Sequence, residues 1–373
     1  MTAPVVTGMA WSTPLGADLD GVWDQLCAGR TGVAPVASPH QLRSELAAVD
    51  SSVPYRPEAA AERQVTLAER TLTAAFADAG LAADDPRALL VLGTSFGADL
   101  DGPPLDWTTL AARGIGHPHR PMCVTTACSA GSDSILVADA LIRSGRSQVC
   151  VAGGVDVLTE AKRLGHSALG TMSPSGLRAF DEGHDGMILG EGAGFLVLES
   201  EESARRRTAR VYARLGGTGS ANDAAGLTAP DPSGRSVVAA VRRCLDRAGL
   251  DRSDVGVVSA HGTGTQLNDQ VEASSLNQLF GDLDPGPIVF GTKGVLGHSL
   301  GATGAIEAIA TILALRHKTV PPLAGLRSPL PEFTLRLPAD GPAEVPAGVG
   351  ISLTLGFGGF NTCLLFSEGG WQR

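Results

Sequence analysis

Residues 67–94 read LAERTLTAAFADAGLAADDPRALLVLGT, and residues 236–263 read SVVAAVRRCLDRAGLDRSDVGVVSAHGT. Each is a helix pattern closing on Ala-Gly-Leu, then a polar acidic loop, an apolar strand and Gly-Thr. Gly80 and Gly93 lie 13 residues apart, as do Gly249 and Gly262. The likeness continues downstream. MCVTTACSAG (122–131) precedes the Ala-rich SDSILVADALIRSG, and IVFGTKGVLGHSLG (288–301) precedes ATGAIEAIATILALR. Matched order of helix, strand, Gly-Thr, strand and helix implies a duplication. Two such copies pack about a pseudo-twofold axis, with equivalent helix N-termini facing one another. Cys128 and His298, three residues before Gly131 and Gly301, take matching places in this reading and meet near the axis.

The chain beyond these stretches fits two α/β halves. Helix patterns cover 60–79, 131–144, 235–248 and 301–316, and apolar strands cover 88–92, 148–152, 194–198, 255–259, 287–291 and 361–366. Alternation of this kind predicts a layered α/β architecture. The expected division is an N-terminal half over 1–220 and a C-terminal half over 221–373. The 373 residues, 43% of them hydrophobic, suffice for a large core. The 48 Gly and 23 Pro stay below the level of low-complexity chains.

Composition excludes several functions. A net charge of −10 disfavours nucleic acid, whose phosphates need a basic surface. The arginines at 205–207 and 210 read as a solvated charged stretch. Six Cys without a CxxC pair or His at ligand spacing imply neither zinc nor a disulfide framework. MTAPVVTGMAW has no basic start or long apolar run, and no window of 18 apolar residues occurs. The expected setting is therefore cytoplasmic, without a membrane span.

Three residues carry chemistry. Cys128 lies at a strand-to-helix junction, where unfilled N–H groups and the helix dipole favour a thiolate. Its neighbours Ala127, Ser129, Ala130 and Gly131 are small enough to admit a substrate. Cys27, Cys123, Cys150, Cys244 and Cys363 read as small buried residues. His261 opens HGTGT after an apolar strand, and His298 sits between Gly297 and Ser299. A histidine in a Gly-rich turn does not fill a core. His40, His117, His119, His184 and His317 read as structural or exposed.

TACSAG (126–131), HGTGT (261–265), KGVLGH (293–298) and GFGG (356–359) together resemble the β-ketoacyl-acyl-carrier-protein synthases of the thiolase superfamily. The resemblance runs from 5 to 368 and includes ALGTMSPSGLRAFDEGHDGMILGEGAG (168–194). It implies a five-layered αβαβα thiolase-like fold and a Cys-His-His condensing site. Cys128 would take an acyl group from an acyl carrier protein. His261 and His298 would stabilise the enolate formed when a malonyl thioester loses CO₂. Backbone N–H groups of Cys128 and Phe357 would form a second oxyanion hole, and Phe357 would also gate the acyl pocket. Lys293 and Glu307 fit the family's supporting pair, with Glu307 buried and Lys293 its cation. Thr263 and Thr265 would contact the pantetheine arm, although turn hydroxyls bonding local backbone explain them equally well. No metal or redox cofactor is implied. The implied partners are an acyl carrier protein and a second subunit, either a copy of this chain or a chain-length-factor-like paralogue.

Departures from the family pattern point to specialisation. The segment before Cys128 is compressed to DGPPLDWTTLAARGIGHPHRP (101–121), and Leu355 and Phe360 replace a common Phe and Thr. Basic residues are few before Arg63. A specialised polyketide or polyene pathway is expected rather than housekeeping fatty-acid synthesis. Three rival readings stand beside it. Gly297–Gly301 matches GxSxG, the nucleophile elbow of α/β-hydrolases, but no His follows Asp340 to complete a Ser-Asp-His order. A chain-length factor would lack the nucleophile that is present here. An acyltransferase or decarboxylase could use the same three residues without elongation.

Overall fold

The two helices of the opening repeat end alike. Ala60–Ala79 (α1) stops at Gly80 with φ 67 and ψ 35, and Arg235–Ala248 (α3) stops at Gly249 with φ 67 and ψ 33. Both caps are left-handed, a conformation glycine adopts without a Cβ penalty. Residues 3–98 and 106–369 are described in this computed structural model. Part of the compressed 101–121 segment therefore lies outside the described residues. The rest forms a helix at Asp106–Gly114 and leads into a short edge strand at Met122–Val124.

The main strands are β1 (Val5–Ser12), β2 (Ala88–Gly93), β3 (Met122–Val124), β4 (Val149–Asp156) and β5 (Gly192–Glu199), then β6 (Ala213–Asn222), β7 (Val257–Ser259), β8 (Ile288–Phe290), β9 (Val349–Gly356) and β10 (Phe360–Glu368). In space they run β3-β2-β4-β5-β1-β6-β10-β9-β7-β8. Counted within its own half, each set has the order 3-2-4-5-1. The third, second and fourth strands are parallel in both, and the fifth is antiparallel to its neighbours. Within the main sheet the two sets join where Val5 and Val6 pair with Arg214 and Ala213. This is the doubled thiolase-like α/β fold. By its place in the order, β6 opens the second set, so a division after residue 220 falls inside a strand.

Ala130–Arg143 (α2) and Thr303–His317 (α5) form the middle layer. They touch each other, and α5 reaches strands of both sets. Every residue of α5 from Thr303 to Leu315 is buried. The helices cross through glycine. A Cβ at Gly131 would lie 2.9 Å from the Ala305 nitrogen, and one at Gly304 would lie 2.0 Å from Ser132 Oγ. The outer layers are α1, against β1 and β5, and α3, against β6 and β10.

The repeat is real, but two of its expected equivalences shift. Gly93 pairs with Val124 and Gly154, and the residue with the same neighbours in the second sheet is Ser259, paired with Phe290 and Ser352. The loops between helix and strand are equally long, residues 80–87 and 249–256, but the second strand is shorter, so Gly93 closes its strand while Gly262 lies beyond the end of its own and the two Gly-Thr pairs do not coincide. Likewise, the short turn before α2 spans Ala127–Ser129, and that before α5 spans Leu300–Ala302. Cys128 therefore corresponds to Gly301, and His298 comes from the chain just upstream of the turn. Among the described residues no helix is long and apolar enough to cross a membrane.

Candidate active site

Cys128 is presented by a strained turn. Ala127 before it has φ 49, in the left-handed region that non-glycine residues rarely adopt. The turn directs Cys128 into a cavity of about 170 Å³ that is also lined by His261, His298, Thr263, Thr265, Leu355 and Phe357. Thiol and imidazoles from opposite halves of the chain thus share one cavity, as the sequence reading expects. The rings of His261 and His298 are edge to face, 5.3 Å between centroids.

The protonation states follow from burial. Burial pushes the Cys128 thiol up to about 11, while the Phe357 N–H, Lys293 and its own N–H pull the other way. The resting group is a neutral thiol, contrary to the thiolate expected at a helix start: in this closed site desolvation outweighs the dipole. Burial also raises Cys123 to about 11. Burial holds both imidazoles well below their ordinary value, helped by Lys293 and, for His261, by His298. At neutral pH both are uncharged.

Lys293 fixes the tautomer of His261. Its Nζ lies 3.3 Å from His261 Nδ1 and also donates to the His261 carbonyl and to Glu307. An ammonium has only donors, so Nδ1 accepts and Nε2 carries the proton into the cavity. Lys293 and Glu307 are each 1% exposed and form a buried ion pair. Burial still raises Glu307 to about 7, with Lys293 opposing it. His298 Nδ1 lies 3.1 Å from Thr303 Oγ1, and Ser299 Oγ also reaches Thr303 at 3.1 Å. His298 Nε2 is buried without a partner. Ser299 is thus a buried hydroxyl serving Thr303, not the exposed nucleophile of a hydrolase elbow. Thr263 and Thr265 both line the cavity and bond each other at 2.8 Å.

Several functional groups escaped the sequence reading. Glu272 accepts the N–H groups of His261 at 2.6 Å and Gly262 at 2.8 Å, and burial raises it to about 8. Asp269 holds the N–H groups of Phe180 at 2.8 Å and Gly264 at 3.1 Å. Both stand on Gln266–Phe280 (α4), and their carboxyl groups shape the His261 turn. Two acids three residues apart after HGTGT were the available signal. Asp156 accepts from the N–H groups of Ser95 at 2.7 Å and Gly301 at 2.9 Å, with Lys162 as its counter-ion. The His298 segment is held from the first half: His298 N–H donates to the Ile188 carbonyl at 2.7 Å, and Gly190 N–H to the His298 carbonyl at 2.9 Å. A Cβ on Gly190 would meet the Leu296 carbonyl at 2.7 Å, so only glycine allows this approach.

Comparison with known proteins finds similarity along nearly the whole chain. The β-ketoacyl synthase N-terminal domain matches residues 119–204, and the β-ketoacyl synthase C-terminal domain matches 212–327. Nodulation protein E of Rhizobium meliloti (strain 1021) is 32% identical, covering 98% of each chain. The oxytetracycline polyketide putative β-ketoacyl synthase 1 of Streptomyces rimosus is 31% identical, over 99% of this chain and 98% of its own. Among solved structures, the ishigamide ketosynthase/chain length factor superposes with a TM-score of 0.90 at 30% identity, over 99% of both chains.

Proposed function

The chain belongs to the β-ketoacyl synthase family of acyltransferases, and from that premise we propose that it extends carrier-bound acyl groups by decarboxylative condensation at Cys128, His261 and His298. The observation that carries this reading is the single cavity lined by one thiol and two neutral imidazoles, with His298 Nε2 free.

The steps follow from the groups present. Cys128 sulfur attacks the carbonyl of an acyl thioester; the bond to the carrier sulfur breaks, and that sulfur leaves with the proton given up by the thiol. The N–H groups of Cys128 and Phe357 hold the oxyanion that forms in between. A malonyl thioester then enters. Its bond to the terminal carboxylate breaks, CO₂ departs, and the electron pair passes into the enolate. His261 and His298 donate Nε2 protons as hydrogen bonds to that enolate oxygen. A neutral imidazole donates there without surrendering its proton, and the donors are in place before charge develops. The enolate carbon attacks the acyl carbonyl, the carbon–sulfur bond to Cys128 breaks, and the sulfur takes up a proton from solvent. No redox equivalent is consumed and the oxyanions are held by N–H donors, so this reading invokes neither a redox cofactor nor a metal.

The substrates of this reading ride on the phosphopantetheine of an acyl carrier protein, whose arm passes Thr263 and Thr265. The subunit pairs with a second ketosynthase-fold chain, either its own copy or a chain-length-factor-like paralogue; the ishigamide ketosynthase/chain length factor supports the latter. Leu355 lines the cavity beside Phe357, which supports a specialised polyketide or polyene substrate.

Intact-protein mass spectrometry tests the proposal. After incubation with acyl-loaded carrier protein, a mass gain on Cys128 is expected; malonyl-loaded carrier should then release a product two carbons longer. Acylation without elongation would favour a simple acyltransferase. Turnover of saturated chains with none of unsaturated ones would overturn the specialised pathway.

A further inference from the structure

His166 stands beside the active site without a role in the chemistry above. It lies in the last turn of the helix Glu160–Ala168 and is 6% exposed. Its ring is 5.7 Å from that of Phe357, centroid to centroid, tilted by 31°. Its Nδ1 lies 3.0 Å from Oγ1 of Thr171, which itself lines the active-site cavity. Phe357, by contrast, sits on a turn bounded by Gly356, Gly358 and Gly359, the last two with φ 82 and 78. Glycine on both sides gives that turn freedom to move, whereas His166 is fixed by its helix and by Thr171. The contact therefore pairs a rigid ring with a mobile one.

We propose that His166 is a positioning residue for the gate: it is the backstop against which the Phe357 ring rests when the cavity around Cys128 is closed. Oriented by Thr171, its imidazole holds the aromatic ring in this tilted ring contact. Access to Cys128 is then set by whether this stack is made. The inference rests on Phe357 acting as the gate, but its test needs no condensation to occur.

The probe is iodoacetamide, with the alkylation rate of Cys128 followed by mass spectrometry on the full chain. His166→Ala should raise the rate on the order of five- to tenfold, as should Phe357→Ala, because each frees the entrance. The double variant should react no faster than the faster single one, since both changes break the same contact. His166→Phe restores a ring on the same helix and should return the rate to within about twofold of wild type. Multiplying effects in the double variant would overturn the proposal. So would an unchanged rate in His166→Ala, or a fast rate in His166→Phe with an unaltered melting temperature. Should His166→Ala not fold, the His166→Phe rate decides. A wild-type enzyme that alkylates as expected but never elongates would sink the proposed function and leave this inference standing.

Discussion

The turns before α2 and α5 are the same piece of backbone used for two purposes. Ala127 and Leu300 both take the left-handed conformation, at φ 49 and 48, and each is followed by a short turn leading into a middle-layer helix. In the first half the next residue is Cys128, directed into the cavity. In the second it is Gly301, whose N–H donates to Asp156 and whose missing side chain makes room for the backbone of Thr94 and Ser95. Duplication thus delivered two strained elbows, and only one bears a thiol. The other became a packing joint across the axis, and its half contributes imidazoles from the flanking segments instead. In the proposed chemistry a symmetric scaffold yields an asymmetric site because a thiol and an oxyanion-binding pair must face each other, not repeat.

The comparison can be broken by substitution. Cys128→Ala should abolish acylation and elongation, by roughly 10³-fold or more, in a mass-spectrometric acylation assay. Replacing His261 or His298 by Ala should cut decarboxylation of malonyl-carrier by about 10²–10³-fold, with Cys128 acylation far less affected. That split assigns nucleophile and oxyanion binding to separate halves; equal losses in both steps would merge them. The thiol's elevated value sharpens the contrast further. Thiolate is the reactive form, so alkylation of Cys128 should rise about tenfold per pH unit until it levels near pH 11. A plateau already reached near neutrality would show that donors, not burial, govern the sulfur. Gly301→Ala should test the packing joint. Its Cβ would lie 2.3 Å from the Ser95 nitrogen, and overpacking of this kind costs about 1–3 kcal/mol, visible as a lower melting temperature. The smallest effect is expected for Thr263→Val, a rise in KM for carrier substrate of about two- to fivefold from a lost hydroxyl contact.

Much of this architecture was legible in advance, for identifiable reasons. Helices such as Arg235–Ala248 have an apolar stripe and end on glycine, and buried strands such as Ala88–Gly93 are unbroken apolar runs. Other elements carry no such signal. Gln266–Phe280 is polar yet buried on several sides, so its residues show no clean amphipathic face. Ala213–Asn222 is interrupted by glycines because α3 lies directly on it: a Cβ at Gly217 or Gly219 would sit 2.1 Å from a carbonyl of that helix. His166 carries no local signal because its partner, Phe357, is far away along the chain.

The sequence by itself determined the doubled plan and the identity of the thiol and the two imidazoles, since these are written in local patterns and short motifs. Only the tertiary structure decided which residues of the two copies are equivalent, that the thiol rests protonated, and that Glu272, Asp269 and Asp156 hold the turns. Those outcomes depend on strand length, desolvation and hydrogen bonds between distant segments, and none of these has a local signature along the chain.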